Sequence, residues 1–514
     1  MNRTAELLFP EALVQRNIAG APSSNTLISV SSFRGGKSPI LWEQPFCANG
    51  SSSCRGLVPF LERNHHPRKT WKQPLEKLGN NPSKNLFRCV YSVFVRQFVN
   101  RRLAAQVIAR MKDEPVVALQ GPRTVGKSTL LNEVAKYHEA RVLDLDKLAV
   151  RNAVSADPQT FAAGHALVCI DEFQKAPSIL DAIKAELNRR LEPGRFVITG
   201  STRFDALPMA AQALTGRIHI MDVLPFSQGE LNGHDEKFLD IAFSYPASLV
   251  APQKSSLTRA AYIKKCCMGG MPLAVVRNAV ASRRWFDDYV RVTLERDVRD
   301  LVEVRQGALL FTLLRRIASQ TAQVINVSKA GSQVGLKATT AEQYVKLLEY
   351  LFLIRRVDAW GRTLRARAVS KPKIYVLDSG VAARLMGLTP ERLASTVDPA
   401  ALTELGHLFE TFVVGEILKQ VSWTDDIASV GHWRTYDGHE VDLVVERFDG
   451  SIIAFEVKCS ARVTGHDTSG LRILRAALGD RFIAGFVLNT GDLSYRFSDR
   501  IWVVPTDRLW NTNT

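Results

Sequence analysis

Gly121-Pro122-Arg123-Thr124-Val125-Gly126-Lys127-Ser128, followed by Thr129, stands between an apolar run, Val116–Leu119, and a run of helical periodicity, Ser128–Tyr137. The spacing G-x-x-x-x-G-K-[ST] has a mechanical reason. Glycines let backbone N–H groups wrap phosphates, the lysine reaches the terminal phosphates, and the hydroxyl coordinates Mg2+. The N-terminus of the following helix adds its positive dipole end. Residues 121–129 are therefore the expected ATP contacts, with Lys127 also in a catalytic role and Ser128 as a Mg2+ ligand.

Downstream, Leu167-Val168-Cys169-Ile170 is an apolar strand ending in Asp171-Glu172. Asp171 is suited to hold Mg2+ directly or through water, and Glu172 to polarise the attacking water. The competing reading is an acidic turn after a core strand. Ser201 follows the strand Phe196–Thr199, where a hydroxyl can touch the γ-phosphate or the water; a simple turn is the alternative. Arg217, in Leu214-Thr215-Gly216-Arg217-Ile218, is a candidate arginine finger or sensor, in cis or in trans, against a solvated surface arginine. Strands Val116–Leu119, Val142–Leu145, Ala166–Ile170 and Phe196–Thr199, with helices Ser128–Tyr137 and Ile179–Arg190, give the order β-α-β-β-α-β. That is an α/β fold: a largely parallel sheet with helices on its faces.

The 514 residues of the whole chain allow about three domains. With 46% hydrophobic and 23% charged residues the composition excludes a wholly disordered chain. The net charge of +16 favours acidic partners: nucleic acid, nucleotide phosphates or anionic membrane. Residues 1–100 hold 13 basic and 5 acidic residues, so half of the excess lies there. Residues 1–90 are rich in Ser, Asn, Gly and Pro without hydrophobic periodicity, and are expected to form a disordered basic tail. A basic arm on nucleic acid and an over-long gene start are the other readings. Seven cysteines, none at CxxC spacing, fit a reducing cytoplasm. No apolar run is long enough for a membrane span, and no signal peptide is read.

Helical periodicity dominates Thr258 to Val324. Helices are then expected near Phe311–Ala318, Ser328–Val334 and Ala341–Leu353, the last capped by Thr339-Thr340, followed by strands Ile354–Ala359 and Lys373–Leu377. Three helices and a wing is a winged-helix pattern. From Phe311 to Val376 there are 12 basic and 3 acidic residues, with Arg355, Arg356, Arg362, Arg365, Arg367, Lys371 and Lys373 on or beside the wing. This is an electrostatic footprint for a phosphate backbone; a packing adaptor with solvated charge is the alternative.

Near the C-terminus a long helix from Leu405 carries Glu410, and a hairpin turning at Asp449-Gly450 sets Asp442 beside Glu456. Strand alternation keeps Glu456 and Lys458 on one face. Three carboxylates and a lysine can hold Mg2+ and orient a water against a phosphodiester, with Asp442 and Glu456 as metal ligands. A hairpin with a surface ion pair is the alternative. His432, His439 and His466 read as surface histidines.

The runs GPRTVGKSTLL, CIDEFQKAP, ITGSTR and LTGRIHIMDVLPFSQGE, with Gly269-Gly270-Met271-Pro272, Arg296-Asp297 and the stretch Lys371 to Gly380, together resemble a group of prokaryotic AAA+-like ATPases. These carry a C-terminal domain long described as of unknown function. Glu410, Asp442, Glu456 and Lys458 in turn resemble the motif positions of the PD-(D/E)xK restriction-endonuclease-like family. The resemblance spans about residues 91–510. It implies an AAA+-like P-loop domain at 91–232, a helical lid or linker at 233–310, a winged-helix-like domain at 311–385 and a nuclease-like domain at 400–510. The expected function is ATP binding and hydrolysis that gates a nucleic-acid-binding, and cleaving, C-terminal half, DNA being the favoured partner. The alternative is an ATP-dependent switch whose nuclease-like domain only binds a partner. A homo-oligomer is among the expectations.

Overall fold

Leu103–Arg110 (α1) leads into Val116–Gln120 (β1), a strand buried on both faces, as the centre of a parallel sheet requires. The computed structural model describes residues 99–206, 214–298, 307–361, 371–394 and 399–512, and every structural statement concerns these. They lie in one compact unit. The loop after β1 runs into Lys127–Tyr137 (α2). Then follow Arg141–Asp144 (β2), Leu148–Ala156 (α3), Pro158–Ala162 (α4), Val168–Asp171 (β3), Ser178–Arg189 (α5), Phe196–Gly200 (β4) and Ile218–Asp222 (β5). The five strands are parallel in the order β2-β3-β4-β1-β5. The phosphate loop, Asp171-Glu172 and Ser201 thereby share the edge formed by the strands' C-terminal ends.

This departs from the expected β-α-β-β-α-β order. Parallel neighbours β2 and β3 need a crossover, which α3 and α4 supply. The apolar stripe of α3 is too thin to announce it, since Val154 is the buried residue of that helix. β5, at the sheet margin, alternates apolar residues with His219 and Asp222 and is only partly covered.

Gln228–Asn232 (α6), Phe238–Ser244 (α7), Arg259–Met268 (α8), Pro272–Val275 (α9) and Ala279–Val292 (α10) come next, α10 running on into a π-helical turn, Thr293–Asp297. Gly307–Ala318 (α11), Gln323–Val324 (β6), Val327–Gln333 (α12), Ala338–Tyr350 (α13), Ile354–Val357 (β7) and Lys373–Val376 (β8) form the middle segment. Its strands are antiparallel in the order β6-β8-β7. Thr339 and Thr340 do not cap α13 but lie inside its first turn, behind Lys337 at the cap position. Tyr344, Leu347, Leu348 and Leu351 point inward as expected. Arg362, Arg365 and Arg367 lie outside the described residues.

Ser379–Leu385 (α14), Pro390–Ala394 (α15) and the long Pro399–Val421 (α16) lead to the third sheet. It comprises Ile427–Arg434 (β9), Glu440–Arg447 (β10), Ile452–Lys458 (β11), Phe482–Asn489 (β12), Tyr495–Ser498 (β13) and Ile501–Pro505 (β14), in the order β13-β14-β12-β11-β10-β9, with Ser469–Leu478 (α17) packed on one face. One apolar core joins the helical, middle and C-terminal segments, running through Phe238, Leu314, Leu348, Phe412, Phe455 and Trp510. The first sheet has separate cores on its two faces. Among the described residues no helix is long and apolar enough to cross a membrane.

Candidate functional site

Gly121 must be glycine because a Cβ there would meet the Val223 carbonyl oxygen at 2.3 Å; the loop starts hard against the end of β5. Gly126 has φ +100°, a left-handed backbone that lets the chain turn sharply into α2. As the residue before α2 it offers no side-chain acceptor, so the first-turn N–H groups are left for an outside anion. Thr124 also has positive φ. Val125 is fully buried and anchors the loop to the core beneath it. Lys127 is 4% exposed and folds back over the loop, its Nζ donating to the carbonyls of Gly121 (3.0 Å) and Pro122 (2.9 Å). Burial lowers its pKa to about 8, against the pull of the Glu172 and Asp171 carboxylates. Ser128 and Thr129 open the helix beside it. These features fit a nucleotide's phosphates with Mg2+ at Ser128 and Asp171.

Two strands away, Thr199 Oγ1 donates to Asp171 Oδ1 (2.5 Å) and accepts the Glu172 N–H (3.1 Å). Glu172 adopts φ +54°, a conformation that costs roughly 1–3 kcal/mol in a non-glycine residue and clusters at working sites. Its Oε2 accepts from Ser201 Oγ (3.2 Å) and Gln174 Nε2 (2.5 Å). Ser201 thus meets the expected catalytic carboxylate. Gln174 is not assigned from sequence, although it stands two residues beyond the Asp171-Glu172 pair; Thr199 belongs to the Thr199-Gly200-Ser201 run in which a hydroxyl is expected at the site.

Arg217 is different. The register pairs Val116 with Ile218, so Arg217 sits at the N-terminal end of β5, six residues back from Gly121 along the strand direction. At 3.3 Å per residue that is about 20 Å from the phosphate loop, with a long hydrogen bond (3.4 Å) to the Lys184 carbonyl as its contact. It cannot reach a nucleotide held by its own chain. Arg123 instead has a partner that sequence missed: its Nε meets Asp297 Oδ2 at 2.5 Å, tying the phosphate loop to the π-helical turn.

At the far end of the middle segment the carboxylates gather as expected. Leu443 pairs with Phe455 across β10 and β11, which aligns Asp442 with Glu456. Lys458 Nζ lies 2.7 Å from Glu456 Oε1. Yet the cluster has a further member. Lys373, expected to be a surface cation of the wing, is 2% exposed and its Nζ lies 2.9 Å from Glu410, 2.8 Å from Asp442 and 2.5 Å from Glu440. Burial alone would lower its pKa, but Asp442, Glu410 and Glu440 outweigh it and hold the lysine charged. Burial, with Asp442 beside it, raises Glu410 to about 8. Burial also raises Glu456, whereas Lys373 overcomes burial at Asp442 and keeps it ionised. Among the described residues no group of three or more His, Cys, Asp or Glu side chains is arranged to hold a metal ion. Of the two expected metal ligands, Asp442 has its Oδ1 on the Lys373 ammonium, whereas Glu456 meets Lys458 through Oε1 alone. The surface reading of His432 is corrected, the residue being 2% exposed with Nε2 on the Lys371 carbonyl (3.1 Å). Arg355, on strand β7 of the wing, is half-buried and lines a pocket beside Leu224 and Tyr375.

Three family profiles match successive parts of the chain: an AAA domain over residues 113–232, and two domains of unknown function, DUF8612 over 259–392 and DUF4143 over 405–509. Uncharacterized proteins of Mycobacterium tuberculosis and Mycobacterium bovis are each 28% identical over 419 residues, 81% of this chain and 86% of theirs. A Walker-type ATPase of Pyrococcus abyssi matches at 14% identity and TM-score 0.35, covering 56% of this chain and 96% of that one. By the two profiles the chain carries an AAA-type P-loop ATPase domain and a DUF4143 C-terminal domain.

Proposed function

We propose that the chain is an ATP-hydrolysing switch whose nucleotide state sets the geometry of a nucleic-acid-binding, nuclease-like C-terminal half. The observation that carries this is the meeting of Lys127, Asp171 and Glu172 at one sheet edge, with Glu172 oriented by Ser201 and Gln174. Lys127 binds the terminal phosphates, the loop N–H groups hold the rest, and Glu172 takes a proton from the attacking water. Mg2+, when bound through Ser128 and Asp171, supplies positive charge to the phosphates. ATP turnover by the wild type, absent in Lys127→Ala and slow in Glu172→Gln, tests it; equal turnover in all three would sink it.

The order α11-β6-α12-α13-β7-β8, with strand order β6-β8-β7, supports a winged-helix reading of the middle segment. Arg315, Lys329, Lys337 and Lys346 are exposed on its helices and suit a phosphate backbone. DNA affinity should fall steeply with salt, and replacing Lys329, Lys337 and Lys346 together by Ala should flatten that slope. A slope unchanged in the triple variant would return the segment to a packing role. The hairpin with Asp442, Glu456 and Lys458 supports a PD-(D/E)xK-like reading of the C-terminal domain. The second reading, a switch that cuts nothing, is favoured by Lys373 lying among those carboxylates.

A further inference from the structure

Lys373 is the first residue of β8, a strand of the middle segment, yet its ammonium is spent on carboxylates of α16 and β10. Both oxygens of Asp442 are engaged: Oδ1 by Lys373, Oδ2 by the Val457 N–H at 2.9 Å. Glu410 Oε1 accepts from Lys373 and, at 2.8 Å, from the Tyr375 hydroxyl, which stands two residues further along the same strand. Thus β8 contributes two donors to one acidic cluster.

Glu456 tells the other half. It is 8% exposed, and its Oε1 meets Lys458 while its Oε2 has no hydrogen-bond partner. A buried acceptor left unpaired is costly, and such a group in a native fold asks for an explanation. An oxygen in this position, beside an aspartate on the neighbouring strand, is a ligand position for a divalent cation, which takes carboxylate oxygens at 2.0–2.2 Å or so. The ammonium, 2.9 Å from Glu410, 2.8 Å from Asp442 and 2.5 Å from the neighbouring Glu440, holds oxygens of two of these carboxylates that such an ion would need. The two cations cannot share them.

We propose that Lys373 is a built-in cation that closes the Glu410–Asp442–Glu456 cluster to divalent metal, so that the cluster binds metal only when the start of β8 is withdrawn. This rests on the nuclease-like reading of the C-terminal domain, and adds to it a latch supplied by a different segment. In the closed arrangement the chain is inert toward metal-dependent chemistry at this cluster. When β8 moves, Asp442 Oδ1 is freed beside the already unpartnered Glu456 Oε2, on the same face as Lys458.

The test is a Mn2+ titration of full-length, nucleotide-free protein, read by electron paramagnetic resonance of free Mn2+. Wild type and Asp442→Asn should give superimposable curves. Lys373→Met should gain one site per chain at least tenfold tighter than any in wild type, and Lys373→Met/Asp442→Asn should lose it. Lys373→Gln, which can still donate to the carboxylates, is the companion if the methionine variant does not fold, with ATP binding as the folding control. An Asp442-dependent site already present in wild type overturns the latch while sparing the metal-site reading. No Asp442-dependent uptake by a folded Lys373 variant overturns both. A gained Mn2+ site without nicking of DNA supports the latch and removes the nuclease.

Discussion

Lys127 is a cation held where burial opposes its charge, and this gives it a measurable signature. Free of nucleotide, its pKa lies near 8, below the ordinary 10.5 of a lysine. Bound phosphates require the ammonium, so above pH 8 ATP binding should take up about one proton, and affinity should weaken up to tenfold per pH unit. Calorimetry in buffers of different ionisation enthalpy reads that proton directly; proton-neutral binding at pH 9 would refute it. Removing the side chain in Lys127→Ala should abolish tight binding. Glu172→Gln should retain binding while turnover drops by about 10²–10⁴, the usual range for a lost general base. Glu236 offers a stability counterpart. Burial, then Glu416, raises its pKa from 4.5 to about 8. A carboxyl protonated more readily when folded gives stability that is present below the unfolded pKa and lost as pH rises through the folded one. Thermal midpoints of Glu236→Gln should therefore fall less than those of wild type between pH 5 and pH 8, and parallel curves would remove Glu236 from that account.

Among the elements, α16 has the most to hold together. Its Glu416 is fully buried, accepts from the Gln228 N–H at 2.7 Å and pairs with Lys419, whose Nζ also donates to the Phe226 carbonyl at 3.0 Å. Glu416→Ala leaves Lys419 buried and the Gln228 N–H unpaired, and should cost about 3–5 kcal/mol in chemical denaturation. A loss below 1 kcal/mol would mean that water replaces the carboxylate. The same element explains what sequence could and could not reveal. The phosphate loop was legible because eight consecutive residues encode it, and the Asp442–Glu456 pair because a turn signal and strand alternation fix a hairpin locally. Lys373 was not: its partner Asp442 stands 69 positions away, and its basic neighbours make it look like solvated charge. Asp297 is 174 positions from Arg123, and no local pattern links them. The α3 crossover escaped because a helix lying on a small sheet needs little apolar surface, and Val154 suffices.

On the scale of the whole molecule, Arg217 and β8 make opposite demands. Arg217 lies at the wrong end of β5 for its own chain, so if it serves hydrolysis it serves a neighbour's. Arg217→Ala and Glu172→Gln should each be nearly inactive alone, and mixing them should restore part of the turnover; a mixture as inactive as its parts would return Arg217 to the solvated surface. Strand β8 works within one chain. Beyond Val376, Leu377 and Asp378 line a small cavity with Pro122 of the phosphate loop, and Asp378 accepts the Gly270 N–H at 2.7 Å. Lys373 and the phosphate loop therefore lie at the two ends of one short strand. A non-hydrolysable ATP analogue should alter amide hydrogen exchange of residues 373–378; exchange unchanged there would uncouple the latch from the nucleotide. The bond from Gln228 to Glu416 has one more consequence, since the two residues are 188 positions apart. A growing polypeptide leaves the ribosome from its N-terminus at roughly 5–20 residues per second. The Gln228 amide must then wait about 10–40 s for its acceptor to be synthesised. The part of the protein that is made early is thus completed late, and a nascent chain halted before Glu416 would present that turn to chaperones instead of to its own last long helix.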